Sequence, residues 1–513
     1  MADNEEKKDI NPGYGKALFG RRVIYTDETE VTAENVLTVL RNAFPAHVAN
    51  RCEINYLYNY YKGRQPILDR VKEIRPEICN KVVVNLAYDI VDFKVSYLLG
   101  TPFSYVATKD RNEAVDTLNG YMNQVGKDGL DKELIEWNHI CGTAYRYVQA
   151  LEPSKVEDGD APFDLFTLDP RTTFVIYSST FKKTRLAGVT YTISETDGTV
   201  HNFVVYTKDK VFTFGVEKFG EKEEKLNAFV VTPNTLGDIP IFEYPANNAR
   251  LGAFETVLPL LDAYNRITSN DVDGIEQTIQ SFLKFVNCDL DADALANLRE
   301  YGAIKLKSID GAPADVDSVK TDYSYDGANL TKTDIYRNIL LICGMPIVGN
   351  GKSISANNGA MYISSGFSQA ESKAKASETM FKASERLMLN LVLKICKTIG
   401  KGKLDIRATD LDCKSTRTNY ENLQVKAQVL CEMLNTPRVH PKLAFESCGL
   451  FSDPENAYMI SEAHYKDALK EWKIEDLGDL DKAVNGYGGE TTETVRTDGR
   501  ADSVTTDAVA EGD

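Results

Sequence analysis

The stretch GMPIVGNGKSISANNGAM, residues 344–361, carries Gly351-Lys352-Ser353 in its middle, the closing letters of a phosphate-binding P-loop. How it is read decides the fold, because a P-loop joins a buried strand to a helix inside a parallel α/β sheet. That loop needs a glycine five places before Gly351, and Pro346 stands there. The preceding IYRNILLICGM sets Ile335, Ile339 and Ile342 at helical intervals, not strand ones. No βαβ succession surrounds it, and no apolar strand ending in an aspartate follows. The pattern therefore predicts a connector of Gly, Asn, Ser and one Lys between two helices. A nucleotide-hydrolysing enzyme using Lys352 is kept as the alternative.

At roughly fifteen residues the connector is long for a helix–helix link, and loops of that length are commonly functional. Gly349, Gly351 and Gly359 give it freedom. Asn350, Asn357, Asn358 and Ser353 can hydrogen-bond, and Lys352 is one mobile point charge.

Working outward, the spacing predicts a helix over 328–343 before the connector and another over 360–399 after it. The second has a stripe of Phe367, Ala370, Ala374, Phe381, Met388, Leu391 and Ile395, with Gly366 as a bend point. Further upstream, 254–286 repeats Phe254, Val257, Leu258, Leu261, Tyr264, Ile275, Ile279 and Phe282 at helical steps. A helix of that extent would be about 50 Å long. Between the helices lies an acidic insert, 288–319, with Asp289, Asp291, Asp293 and Glu300, one short helix and the strand GAIKLKS. Such helices can form an ordinary domain core. Their length around a small insert points instead to a protruding arm that packs against something outside its own chain.

Residues 32–140 read as mainly helical: 32–44 with Thr32 as N-cap, then 81–99, 111–126 and 129–140. The run 82–100 is apolar, but Asp89, Asp92 and Lys94 interrupt it, so it predicts a buried helix and no bilayer span. From 143 to 245 the period changes to two, in AYRYVQAL, FDLFTL, TTFVIY, LAGVTYTI, HNFVVYTK, KVFTFG and NAFVVT. These predict an antiparallel region with EDGD and GEKEEK as hairpin tips. Residues 419–472 are helical again. The last forty residues hold eleven Asp/Glu against three Lys/Arg and predict disorder. The first thirty are polar, and MADNEEKKDI has no apolar core of a signal peptide.

The net charge of −17 excludes a protein that coats nucleic acid through a basic surface. It does not exclude one that lets DNA pass without holding it. Nine scattered cysteines without a CxxC predict buried free thiols in a reducing compartment, and five histidines are not spaced as ligands. The acidic pairs lack an EF-hand pattern. No catalytic constellation, cofactor or metal is expected.

Five stretches together, in this order, resemble tailed-phage portal proteins of the SPP1 type: YYKGRQPIL (60–68), NKVVVNLAYDIVDFKVSYLLGTPF (80–103), DPRTTFVIYSST (169–180), VLPLLDAYNRITSNDVDGIE (257–276) and the 344–361 stretch. The likeness covers about residues 50–470. It implies an α+β portal fold: an α/β wing, a long-helix stem, a small α/β clip and a helical crown, assembled as a ring. After a flexible N-terminus (1–29), the wing would be 30–252. The stem would be 253–286 and 328–344, and the clip 287–327. Residues 345–415 would be the tunnel loop, a long helix kinked at Gly366 and the return to the wing. The crown would be 416–472, followed by an acidic tail (473–513). The resemblance implies a non-enzymatic dodecamer at one capsid vertex of the virion, assembled in the host cytoplasm. Double-stranded DNA would pass through it without sequence specificity and without contact to a membrane. Asn350, Lys352, Ser353, Asn357 and Asn358 would face that DNA. Asp289, Asp291, Asp293 and Glu300 would dock the terminase large subunit and later a head–tail adaptor. Major capsid and scaffolding proteins would surround the ring. A capsid protein without a channel remains the other alternative.

Overall fold

The computed structural model describes residues 20–471 except 101, 108–111, 194–199, 220–223, 280–281, 287, 290–306, 309–314, 320–324, 348–365, 400–403, 405, 415–422 and 452–453. The chain divides into two units, one ending at Asn422 and the other starting at Leu423. The first mixes helices with largely antiparallel sheets.

Helix α1 runs Val36–Tyr61, much further than 32–44. Pro45 lies inside it instead of ending it. A proline deletes one intrahelical hydrogen bond, and here the helix is held from both sides. Val36, Val39, Leu40 and Ala43 pack on a six-stranded sheet, while Ile54, Leu57 and Tyr60 enter a second, larger core. Asn35, not Thr32, precedes the helix. Its side chain accepts from the Thr32 N–H (2.7 Å) and donates to the Glu30 carbonyl (2.9 Å).

The six-stranded sheet comprises β1 (Ile24–Thr26), β5 (Thr173–Ser178), β6 (Arg185–Ile193), β7 (Val200–Tyr206), β8 (Lys210–Glu217) and β9 (Lys225–Pro233), in the order β1-β5-β6-β7-β8-β9. All neighbours are antiparallel except β1, which lies parallel to β5. Alternation puts Val189, Tyr191, Phe203, Val205, Phe212 and Phe214 under α1. A smaller sheet orders β10 (Ile241–Pro245), β3 (Thr143–Ala150) and β4 (Phe163–Leu168). The seven strands expected between 143 and 245 all form, and both proposed tips join paired neighbours. The short β1, β2 (Ser104–Ala107) and β15 (Leu411–Lys414) have too few residues to show a period.

Helices α2 (Leu86–Leu98), α3 (Asn112–Gln124) and α4 (Lys127–Cys141) fill the larger core. Helix α4 ends at Gly142 (φ +81°), where a Cβ would lie 2.0 Å from the Arg250 carbonyl oxygen. This backbone-to-backbone approach fixes where the next long helix starts, with the Ala253 N–H on the His139 carbonyl (2.6 Å).

That helix, α5, is Leu258–Ile279, about 33 Å long at 1.5 Å per residue. The expected helix to 286 is not formed. Phe282–Val286 is strand β11, paired antiparallel with β14 (Asp315–Val319). The apolar spacing at Ile275, Ile279 and Phe282 suits a helix, but FLKFV is also β-branched and aromatic, and pairing with β14 wins. The insert also holds β12 (Cys288–Asp289) paired with β13 (Lys307–Ser308). Helix α6 (Tyr325–Cys343) returns beside α5, tied by Lys332–Asp271 (3.2 Å) and Tyr264–Tyr336 (centroids 6.0 Å). Helix α7 spans Phe367–Thr398.

The second unit has three helices, α8 (Leu423–Leu434), α9 (Pro441–Cys448) and α10 (Pro454–Glu471). They share a small core of Leu430, Ala444, Phe445 and Cys448. Among the described cysteines five are buried, and all are free thiols.

Candidate functional site

The connector's central residues 348–365 lie outside the described residues, and with them Asn350, Lys352, Ser353, Asn357 and Asn358. Its base is described. Residue 344 follows a helix and not a strand, which removes the P-loop context. Helix α6 closes with the Gly344 N–H on the Leu341 carbonyl (3.1 Å) and the Met345 N–H on the Leu340 carbonyl (2.9 Å). Side chains from α7 cap the same helix end: Gln369 Nε2 donates to the Leu341 carbonyl (3.2 Å) and Lys373 Nζ to the Ile342 carbonyl. Gly366 faces Pro346, with a virtual Cβ 3.5 Å from the Pro346 Cα. The two ends of the connector are therefore clamped side by side, as at the neck of a closed loop.

Gly366 does not bend a helix over 360–399. It has φ +82° and immediately precedes α7. Left-handed backbone cannot continue a right-handed helix, so Gly366 marks a boundary. Residues 360–365 lie outside the described residues.

Helix α7 anchors the connector to the larger core. Phe381, Met388, Leu391 and Ile395 are buried as their spacing predicts, and Glu385 is buried among them. Its Oε1 accepts from Tyr105 OH (2.5 Å) and pairs with Lys127 Nζ (3.0 Å), and its Oε2 accepts from Tyr244 OH (2.6 Å). Lys127 also pairs with Asp131, and Arg146 Nη1 lies 2.7 Å from Asp131 Oδ1, an ion pair without hydrogen-bond alignment. Two cations and two anions thus balance inside the core. Burial pushes the Glu385 carboxyl up, but Lys127, Arg146 and the two phenols outweigh it and hold it below the usual range. Sequence reasoning missed this lattice. The available signal was charge at positions 127, 131, 146 and 385, where the periodicity calls for apolar residues.

The arm is joined to the rest by a second unpredicted device. Asn265, Ser269 and Asp273 recur every four residues and form one stripe on α5. They accept, in turn, the backbone N–H groups of Val84 (2.9 Å), Val82 (3.0 Å) and Asn80 (2.7 Å). The extended segment before α2 is thereby laid along the arm. Asp273 also pairs with Arg70 (3.0 Å) and Lys72 (2.6 Å).

In the insert, Asp289 sits opposite Lys307 in the β12–β13 pairing. Asp291, Asp293 and Glu300 lie outside the described residues. Among the described residues no group of three or more His, Cys, Asp or Glu could hold a metal ion. None of the described helices is long and apolar enough to cross a membrane.

The first unit is thus a mixed α+β fold in which the paired helices α5 and α6 flank a small β insert and α7 clamps the base of the connector. The family model described as "Phage portal protein, SPP1 Gp6-like" matches residues 42–478, and the chain belongs to that family. The portal protein of Bacillus phage SPP1 is 22% identical over 386 residues, covering 71% of this chain and 72% of that protein. A solved structure, the neck of a native GTA particle computed with C12 symmetry, aligns with 12% identity and a TM-score of 0.38. The alignment covers 71% of this chain and 89% of that one.

Proposed function

We propose that this chain forms the ring-shaped channel at one capsid vertex through which double-stranded DNA enters and leaves the head. The reading rests on membership of the phage portal family across residues 42–478. In it, identical copies surround an axis, twelve in the virion, and head-to-tail contacts close because the rotation per copy permits it. Residues 253–286 and 328–344, which contain α5 and most of α6, are the stem, 287–327 the clip and 416–472 the crown. The ring joins head to tail, and its clip receives the terminase large subunit during filling and an adaptor afterwards. Asp289, Asp291, Asp293 and Glu300 are the proposed docking side chains. Capsid and scaffolding proteins hold its rim.

The connector is the tunnel loop. Cyclic repetition sets every Lys352 at one height, so a charge that is negligible alone becomes a collar. Contacts from it, Asn350, Ser353, Asn357 and Asn358 to phosphates carry no sequence information. The net charge of −17 keeps such contact shallow. The clamped base supports this reading, because it fixes where the connector leaves and rejoins the fold.

Deleting residues 350–358 is the test. Rings with a central hole should still appear end-on in negative stain, and DNA packaging should fail. Loss of the ring itself would make the loop architectural and end the DNA role. ATP turnover by the purified chain that vanishes in Lys352→Ala would favour the enzyme instead.

A further inference from the structure

Beneath the clamped connector base lies a mostly enclosed cavity lined by Phe93, Lys94, Tyr97, His139, Gly344 and Lys373, with Leu98, Ala370, Ala374 and Ser377 completing its wall. Two of these side chains are cations, and the lining contains no carboxylate. Lys94 has no hydrogen-bond or ion-pair partner among the described residues. Burial lowers its affinity for a proton, Cys343 offsets part of this, and the neighbouring Lys373 lowers it further. His139 is 6% exposed, and its Nε2 is buried without a hydrogen-bond partner. Burial and Lys94 hold its imidazole down to about 3, so it is neutral and can present an N–H. A half-buried ammonium beside a second cation, with no carboxylate in the wall between them, favours an anion in that space.

We propose that this cavity is a binding site for a small monovalent anion of the chloride class. Size sets the class. About 20 Å³ is open to a water-sized sphere, where one water needs roughly 10–15 Å³. That is room for a single particle of about the size of water, such as a monatomic halide. The apolar share of the wall, Phe93, Leu98, Ala370 and Ala374, suits a large, weakly hydrated anion better than a small, strongly hydrated one. The site joins α2, α4, the end of α6 and the start of α7, so an anion there would pin four helices at the connector's root. The connector cannot neutralise the lysines itself, since 344–365 contain no Asp or Glu. None of this depends on the channel role.

Bromide is the probe. Crystals of the full chain soaked in bromide should give an anomalous peak among Lys94, Lys373 and His139. A cavity filled by water or by a peptide carbonyl, with no bromide, overturns the proposal. In solution, exchanging gluconate for chloride at constant ionic strength should raise the unfolding midpoint of the wild type, and the rise should be lost in Lys94→Met. Equal rises in both proteins, or none in either, also overturn it. If Lys94→Met does not fold, the wild-type bromide peak decides.

Discussion

Glu385 shows what a single residue does when it stands where the pattern asks for carbon. Glu385→Gln would leave Lys127, Arg146 and Asp131 with one surplus buried positive charge. Breaking a buried pair by removing one partner costs about 3–5 kcal/mol, so the urea midpoint should fall accordingly. An equal midpoint would mean that water already screens the lattice. His47 gives a pH prediction. It stacks on Phe174 (centroids 4.3 Å), and its Nε2 lies 3.1 Å from Tyr191 OH. Burial, reinforced by Arg51, holds it down to about 3. The unfolded chain takes up this proton near pH 6.5 and the folded one only near 3. The contribution is therefore whole above 6.5 and is lost as pH falls toward 3, at about 1.4 kcal/mol per pH unit. His47→Gln should flatten that slope when unfolding is followed from pH 7 to 5. Neither residue was legible beforehand: a lone His or Glu in an apolar stripe reveals its partners only when distant strands arrive beside it.

At the scale of elements, the period was a good guide and the boundaries were not. Strands β3 to β9 were readable because alternation with Val, Thr, Tyr and Phe has no helical interpretation. Pro45 and the FLKFV segment misled because local chemistry was overruled, by two cores gripping α1 in one case and by pairing with β14 in the other. The polar stripe on α5 was equally hidden, since Asn, Ser and Asp on a helix ordinarily signify solvent. Ser269→Ala should strand the Val82 N–H and cost about 1–3 kcal/mol in chemical unfolding. Gly142→Ala should do more damage. It forces a side chain into φ +81° and into the Arg250 carbonyl, a loss above about 2 kcal/mol. A soluble, unperturbed Gly142→Ala protein would mean that the α4–α5 junction relaxes freely.

For the whole molecule, the sequence resemblance and the family match agree on what the chain belongs to, while the proposed loop and clip side chains await their own tests. Assembly carries one more expectation. Rings of the full chain viewed end-on should show rotational symmetry about an open centre, and a chain that stays monomeric at every salt and concentration would remove the proposed channel.

The start of the chain has a consequence for its biosynthesis. Arg21 Nη2 donates to Glu255 (2.6 Å), and β1 completes its sheet against residues 176–178. A ribosome adding about 5–20 residues per second needs roughly 10–50 s to supply that glutamate after making the arginine. For about the first two thirds of that interval, until residues 176–178 are made, β1 has nowhere to dock, and from then until the glutamate arrives the flank of β5 is open to the same strand of any other nascent copy on the messenger. A slowly translated message would lengthen this window, and with it the chance that neighbouring polypeptides exchange their first strands before either is finished.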